Sequence, residues 1–432
     1  MKQILWFRRD LRVSDNAILA NGKDEVLPIF IFDTNILATL PANDKRVSFI
    51  YKSVLNLKKE LQNIGLDLAI FFGVPKDIFI QLQNDFDEVL CSCDFDSYAI
   101  SRDKEIEQII PMRRFYDSYL VHPDETLKLD GTPYKVFTPF YKNLQIIWES
   151  VHIKEYSPNQ NLTLVNYDYA TYPTLEQLGF TQTLQPHFLK KSPFELIESL
   201  KEKLQNYKED RDYFYKDGTS NLSVFLRFGI ISPKQIFNLI RTFNGADFFI
   251  RELFWREFYN TILYHFPKSE FENFNQKNIL WENDENKFQA WCDGKTGVPI
   301  IDASMQHLNS TGTMPNRLRM VVASFLCKNL LCDWRLGERY FALKLLDYDT
   351  SSNVGSWQWG ASTGADSVPY FRVFNPYLQS AKFDKEAIFI KSVLKEFQNT
   401  PPKELHKENK NAIVNTKISS KQAIALFKNC SD

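Results

Sequence analysis

The chain has little of what marks unusual architectures. Of its 432 residues only 15 are glycine, 19 proline and six cysteine, which excludes collagen-like, low-complexity and broadly disordered chains. The cysteines, at 91, 93, 292, 327, 332 and 430, are scattered. No second pair with zinc spacing accompanies Cys91 and Cys93, so no metal site is expected and a reduced, cytoplasmic setting fits. An excess of one charge is also missing. Lys and Arg total 52 against 53 Asp and Glu, a net of −1, so any contact with nucleic acid or an acidic membrane must use a local basic patch. No run reaches the ~18 apolar residues of a membrane span. Arg8, Arg9 and Asp10 stand where a signal peptide would need its apolar core. Abundance lies elsewhere: 36 Phe, 19 Tyr and 8 Trp make up 15% of the chain, which suggests a function that uses rings.

The length allows two domains and a large core. Residues 3–7, 26–32, 68–72 and 88–91 read as short buried strands separated by amphipathic stretches such as 47–64, which predicts a parallel α/β sheet. This half carries neither GxGxxG nor GxxxxGK(S/T), so no phosphate is placed on its first turn. From about Leu127 to Lys190 the chain reads as irregular and proline-punctuated, a connection between domains. The expected division is therefore an α/β domain over 1–126, a linker over 127–190 and a helical domain over 191–432. Within the last, 194–207, 233–244, 247–265, 287–294, 300–309, 317–331 and 337–346 carry apolar residues at helical spacing. The polar stretch after Thr400 gives no clear expectation of order.

Four segments carry candidate chemistry. Asp217–Ser223 puts hydroxyl residues at the expected start of a helix, suited either to simple capping or to holding an anion. In 251–259, helical spacing groups Glu252, Trp255, Arg256 and Tyr259 on one side and Phe254, Phe258 and Ile262 on another. The first side suits stacking and edge-pairing of a base-like ligand, or is a solvated face with an interfacial Trp. After Pro315, Asn316, Arg319 and Met320 fall near one another while Arg317 points elsewhere. An Arg in so apolar a helix needs an acidic partner, which Asp347 or Asp349 can supply, as a site or as a structural salt bridge. Finally, Trp357 and Trp359 lead into a stretch expected to be irregular as far as Pro376, where function tends to sit. Tryptophans such as 281, 334 and 357 are, taken singly, ordinary core.

Together these segments resemble the photolyase/cryptochrome family, most closely its class I cyclobutane-dimer photolyases. The likeness runs from Trp6–Asn16 through Tyr134–Phe140, 294–297, 301–305, 309–312, 316–320 and 333–340 to Phe371–Pro376, nearly the whole chain. It implies a Rossmann-like α/β antenna domain and a helical domain holding FAD, active as FADH⁻. Tyr207 and the segment Thr219, Ser220, Asn221, Leu222 and Ser223 match the surroundings of the diphosphate. Asp347 and Asp349 match the acidic pair near adenine, ribose and isoalloxazine, with Arg319 beside the ring. Asn353 matches the residue facing flavin N5, where plant-type cryptochromes carry Asp and animal ones Cys, so it favours repair.

The resemblance further implies that Trp255 and Trp359 wedge a flipped-out dimer contacted by Glu252, Asn316 and Met320. A (6-4) photolyase would carry His at 316 and 320. Arg211, Arg256 and Arg317, with Tyr259, match the DNA-facing side, and Trp357, Trp334 and Trp281 match a relay that photoreduces the flavin. The implied reaction uses blue light to pass an electron to the dimer of ultraviolet-damaged, single- or double-stranded DNA, and takes it back after both bonds open. A monomer is implied. Two departures stand out: Thr313 and Pro315 replace a Trp and a His of the family motif, and 98–103 lacks the Asn-Glu pair that binds a folate antenna. A second chromophore is possible, its identity open. The competing expectation is a cryptochrome-type blue-light receptor without repair, against which stands the short tail after the last matched segment. A weaker alternative is a flavin oxidoreductase active in darkness.

Overall fold

The computed structural model describes residues 1–150 and 154–430. Its contacts divide the chain into two units. One comprises Met1–Leu127, Lys142–Ser199 and Asn221–Thr242; the other comprises Lys128–Tyr141, Leu200–Ser220 and Phe243–Asp432.

The first unit is built on a parallel sheet. Strands β1 (Lys2–Phe7), β2 (Glu25–Asp33), β3 (Ala69–Gly73), β4 (Glu88–Ser92) and β5 (Met112–Phe115) lie in the order β3-β2-β1-β4-β5. A two-residue β6 (Thr163–Leu164) pairs with the start of β2. Strands β1 and β2 are buried along nearly their whole length, which is why they read as unbroken apolar runs rather than alternating ones. Pro28 has no N–H to give and falls between the part of β2 that pairs β6 and the part that pairs β3. Helices α1 (Lys45–Asn63), α2 (Pro75–Leu82) and α3 (Ser97–Glu107) alternate with the strands. Asp44 caps α1 through Arg46 N–H, and Val47, Val54, Leu57 and Leu61 form its buried stripe. Strand β5 was not foreseen, because Arg113 and Arg114 interrupt its short apolar signal.

The stretch expected as a linker contains a helix over Phe137–Ser150, and most of it packs with the sheet. Asn159 N–H donates to Leu19 O at 3.1 Å, and Lys58 Nζ donates to Tyr169 O at 2.7 Å. Residues 221–242, expected with the helical half, also join the sheet unit. The cause is charge: Arg12 Nη1 donates to Gly229 O at 3.0 Å, Lys234 pairs with Asp15 at 3.0 Å, and Ser232 Oγ bonds Asp15. All four side chains are buried, and such charges must be paired to leave water.

The second unit is helical. Its main elements are α4 (Ala246–His265), α5 (Glu285–Asp293), α6 (Pro299–Thr311), α7 (Asn316–Lys328), α8 (Trp334–Lys344), α9 (Thr350–Ala361) and α10 (Thr416–Asn429). Helix α9 corrects one expectation: Trp357 and Trp359 lie on a helix, and the irregular stretch begins only beyond Ala361. Its Ser, Gly and Trp content carries no apolar stripe, so periodicity missed it, yet Asp349 caps it through Ser352 N–H. Helix α9 packs against α4, α7 and α8, and two glycines permit the approach. A Cβ on Gly337 would lie 2.2 Å from the Trp357 ring, and one on Gly355 would lie 2.1 Å from the Tyr259 ring. Between residues 401 and 430 the chain packs on the helical unit: Asn329 Nδ2 donates to Ser419 Oγ at 2.8 Å, and Phe427 is fully buried.

Candidate functional site

Helix α4 is two-faced as its spacing predicts. Phe254, Phe258 and Ile262 are buried, while Glu252, Trp255, Arg256 and Tyr259 are partly exposed. Phe137 lies flat on Trp255, with ring centroids 3.6 Å apart and planes 6° apart. One indole face is thus covered by a ring that is itself buried. Glu252 forms an ion pair with Arg211, whose guanidinium sits 5.8 Å over the Tyr207 ring. Burial pushes the Tyr207 phenol well above its ordinary range. Tyr259 rests where Gly355 leaves room and lies 5.6 Å from Trp255. Arg256 approaches Glu257 at 3.9 Å.

Helix α7 begins at Asn316 after Pro315, which occupies the N-cap position. Asn316 Nδ2 approaches Met320 Sδ at 3.7 Å. Arg319 Nη2 makes two bonds to the Asp347 carboxylate, at 2.8 and 3.0 Å, and its Nε donates to Met314 O. The acidic partner the sequence demanded is therefore Asp347, whereas Asp349 caps α9. Arg317 points the other way, pairing with Asp212 at 2.6 Å and stacking over Phe383. Thr313, in place of the family Trp, hydrogen-bonds Thr311 Oγ1 at 2.9 Å.

Asn353 lies on α9 and is buried. Both its amide hydrogens go to Glu338, at 3.0 Å to Oε1 and 3.2 Å to the carbonyl. Tyr348 OH also donates to that carboxylate, at 3.2 Å, and burial raises the Glu338 carboxyl above its usual range. A carboxylate only accepts, so it fixes which end of the Asn353 amide is left for a ligand: the carbonyl oxygen. Glu338 was not foreseen. It lies fifteen positions upstream on another helix, and no local pattern joins the two.

The segment 217–223 meets neither local reading cleanly. The helix beginning at Ser223 has five residues, and its N-cap is Leu222 with no side-chain capping bond. Thr219 and Ser220 belong to the helical unit and Asn221, Leu222 and Ser223 to the sheet unit. Lys203 Nζ donates to Asp217 Oδ2 at 2.8 Å and to Thr219 O at 3.3 Å.

The tryptophans separate by exposure. Trp357 and Trp334 are 2% and 1% exposed; Trp334 Nε1 donates to Asn273 Oδ1 at 2.8 Å. Trp281 is partly exposed and lies 5.7 Å from the Phe427 ring. Trp359 keeps a partly open ring beside Phe374, 6.2 Å away.

The fit of these residues to a flavin dinucleotide rests on their donor set. A carboxylate-bound guanidinium, a helix-capping aspartate and an amide with its carbonyl free offer both polarities to a ring rich in donors and acceptors. Among the described residues no helix is long and apolar enough to cross a membrane.

Comparison with known proteins identifies the family. The model for "DNA photolyase" matches residues 3–157 and that for "FAD binding domain of DNA photolyase" matches residues 249–426. A deoxyribodipyrimidine photo-lyase of Alkalihalophilus pseudofirmus is 35% identical, covering 93% of this chain and 89% of that protein. One from Escherichia coli is 34% identical, covering 93% and 91%. Among solved structures, an archaeal photolyase from Sulfolobus tokodaii with two FAD molecules superposes with a TM-score of 0.86 at 34% identity, covering 99% of this chain and all of that one. A Synechocystis cryptochrome gives 0.87 at 25% identity, covering 99% of each. The chain belongs to the photolyase/cryptochrome family, with an α/β unit on a parallel sheet and a helical FAD-binding domain.

Proposed function

We propose that the protein is a light-driven DNA-repair enzyme that splits cyclobutane pyrimidine dimers. One observation carries the reading. Trp255 and Trp359 keep partly open rings, the first backed flat by Phe137 and the second flanked by Phe374 at a 34° tilt, unlike the buried Trp291, Trp334 and Trp357. Half-open rings suit stacking on bases.

A dimer is weakly stacked and unpaired in duplex DNA, so extruding it costs only a few kcal/mol, which favours damaged over intact sites. Trp255 and Trp359 would hold the extruded rings. Glu252 would accept from their N–H edges, its charge kept in place by Arg211. Asn316 and Met320 would complete the wall. Arg211, Arg256, Arg317 and Tyr259 would face the strand, where phosphate contacts make binding dependent on salt and tolerant of sequence.

When bound, reduced FAD supplies a photoexcitable electron donor. Arg319, Asp347, Asp349, Asn353, Tyr207, Thr219 and Ser220 of the helical unit would hold it. The Asn353 carbonyl, left free because Glu338 takes the amide hydrogens, would accept from a protonated ring nitrogen and so favour the reduced state. One electron added to the dimer lets both inter-ring bonds open; its return leaves no net redox change. Trp357 and Trp334, both buried, and Trp281, partly exposed, would carry electrons inward for photoreduction.

The test is repair itself. Irradiated oligothymidine incubated with chemically reduced protein under blue light should regain unmodified thymine, and dark controls should not. No recovery, with flavin bound and reduced, would defeat this function in favour of a receptor of the cryptochrome kind.

A further inference from the structure

Lys328, the last residue of α7, is fully buried. Among the described residues no carboxylate pairs with it. Its Nζ donates instead to three neutral oxygens: Ser362 Oγ at 2.6 Å and the carbonyls of Tyr370 and Arg372, each at 3.3 Å. The Phe427 ring of α10 lies 5.4 Å away, and Cys327 beside it is its titratable neighbour. An ammonium taken out of water without a counter-ion is costly, and here every hydrogen it carries is spent on one loop.

That loop leaves from Trp359 and returns to it. Ser362, three residues on, is the left-handed C-cap of α9, with φ 63°. The N–H groups of Ser362 and Val368 both donate to Trp359 O at 3.3 Å, and Phe374 N–H donates to Ser324 Oγ on α7 at 3.3 Å. The Phe374 ring then flanks the Trp359 indole. At its tip the loop exposes Phe371 (60%) and Arg372.

We propose that Lys328 is a positioning residue for the lesion cavity: its ammonium clasps residues 362 to 372 and so fixes the wall that carries Trp359. The inference rests on the function proposed above. Burial brings the Lys328 ammonium down to about 8. The charged form has three hydrogens for three acceptors; the neutral amine has two, and turns a lone pair on the third oxygen. The clasp loosens as pH rises through that value.

Lys328→Met keeps an unbranched side chain, one atom shorter, and removes the charge. With flavin-loaded, reduced protein, dark binding of a dimer-containing oligothymidine is titrated by gel shift from about pH 6.5 to about pH 9. Wild-type affinity should fall about tenfold over that range, while Lys328→Met should be weaker by a similar factor throughout, flat with pH, and normal in flavin content. Wild-type affinity in the variant, or a decline parallel to the wild type's, would overturn the role. So would loss of flavin together with affinity, which marks general stability. Ser362→Ala keeps the ammonium and removes only the shortest bond. It should weaken binding less and retain the pH dependence, and unchanged affinity there counts against the clasp even if Lys328→Met does not fold. Wild type that binds no dimer at any pH sinks the function proposed above and this role with it, an outcome distinct from the others.

Discussion

The charged residues near the N-terminus show how a residue's task can differ from its appearance. Arg8, Arg9 and Arg12 look like a basic patch. Each instead finds a carboxylate, Asp103 at 2.6 Å, Asp94 at 2.8 Å and Asp117 at 2.7 Å, and the guanidinium groups of Arg8 and Arg102 lie 4.7 and 4.8 Å from the Trp6 ring. Asp10 among them is fully buried; Oδ1 accepts from Arg8 N–H at 2.7 Å, while Oδ2 has no partner among the described residues. Burial, then the nearby Asp117 charge, raise its carboxyl to about 6. Between the unfolded value and about 6 the folded state holds the extra proton, so this group's contribution to stability falls as pH rises through that window. Asp10→Asn should therefore shrink the loss of urea-midpoint stability between about pH 5 and about pH 7.5. An equal loss in both proteins would show that Asp10 does not titrate there. None of this was legible in the sequence, where the partners stand 85 to 105 positions away, a separation that only the sheet order β2-β1-β4-β5 closes.

Elements were legible in proportion to their periodicity. Helices α4 to α8 carry apolar residues at three- and four-residue spacing and fall close to where that spacing puts them. The half-open face of α4 was readable for the same reason, down to Glu252, Trp255, Arg256 and Tyr259. Helix α9 was not, because its contacts are made by absent side chains. Gly337 and Gly355 give room for Trp357 and Tyr259, and a glycine carries no hydrophobic signal. Gly337→Ala should cost about 1–3 kcal/mol by overpacking against the Trp357 ring, read as a lower urea midpoint. A midpoint equal to the wild type's would mean that α8 and α9 can separate without penalty.

At the scale of the whole molecule the balance of charge constrains how DNA is held. A net of −1 gives no general attraction, so affinity for intact duplex must come from a few local cations. Arg317 is among the proposed ones, and it is engaged with Asp212 in the free protein; contact with a phosphate must compete with that carboxylate. Arg317→Ala should weaken binding to damaged and undamaged DNA alike and lower the slope of log affinity against log salt by about 1. An unaltered slope would remove it from the interface. The two-unit organisation was only partly legible. Composition marks the sheet and the helices, but the fate of 127–190 and 221–242 was decided by long-range bonds from Lys58, Arg12 and Asp15 that no local window contains.

The Phe137–Trp255 stack has a consequence for stoichiometry. With one side of the indole already occupied by the benzyl ring, only a single π-surface remains vacant. A flat aromatic guest can therefore lie against Trp255 once and from one direction alone.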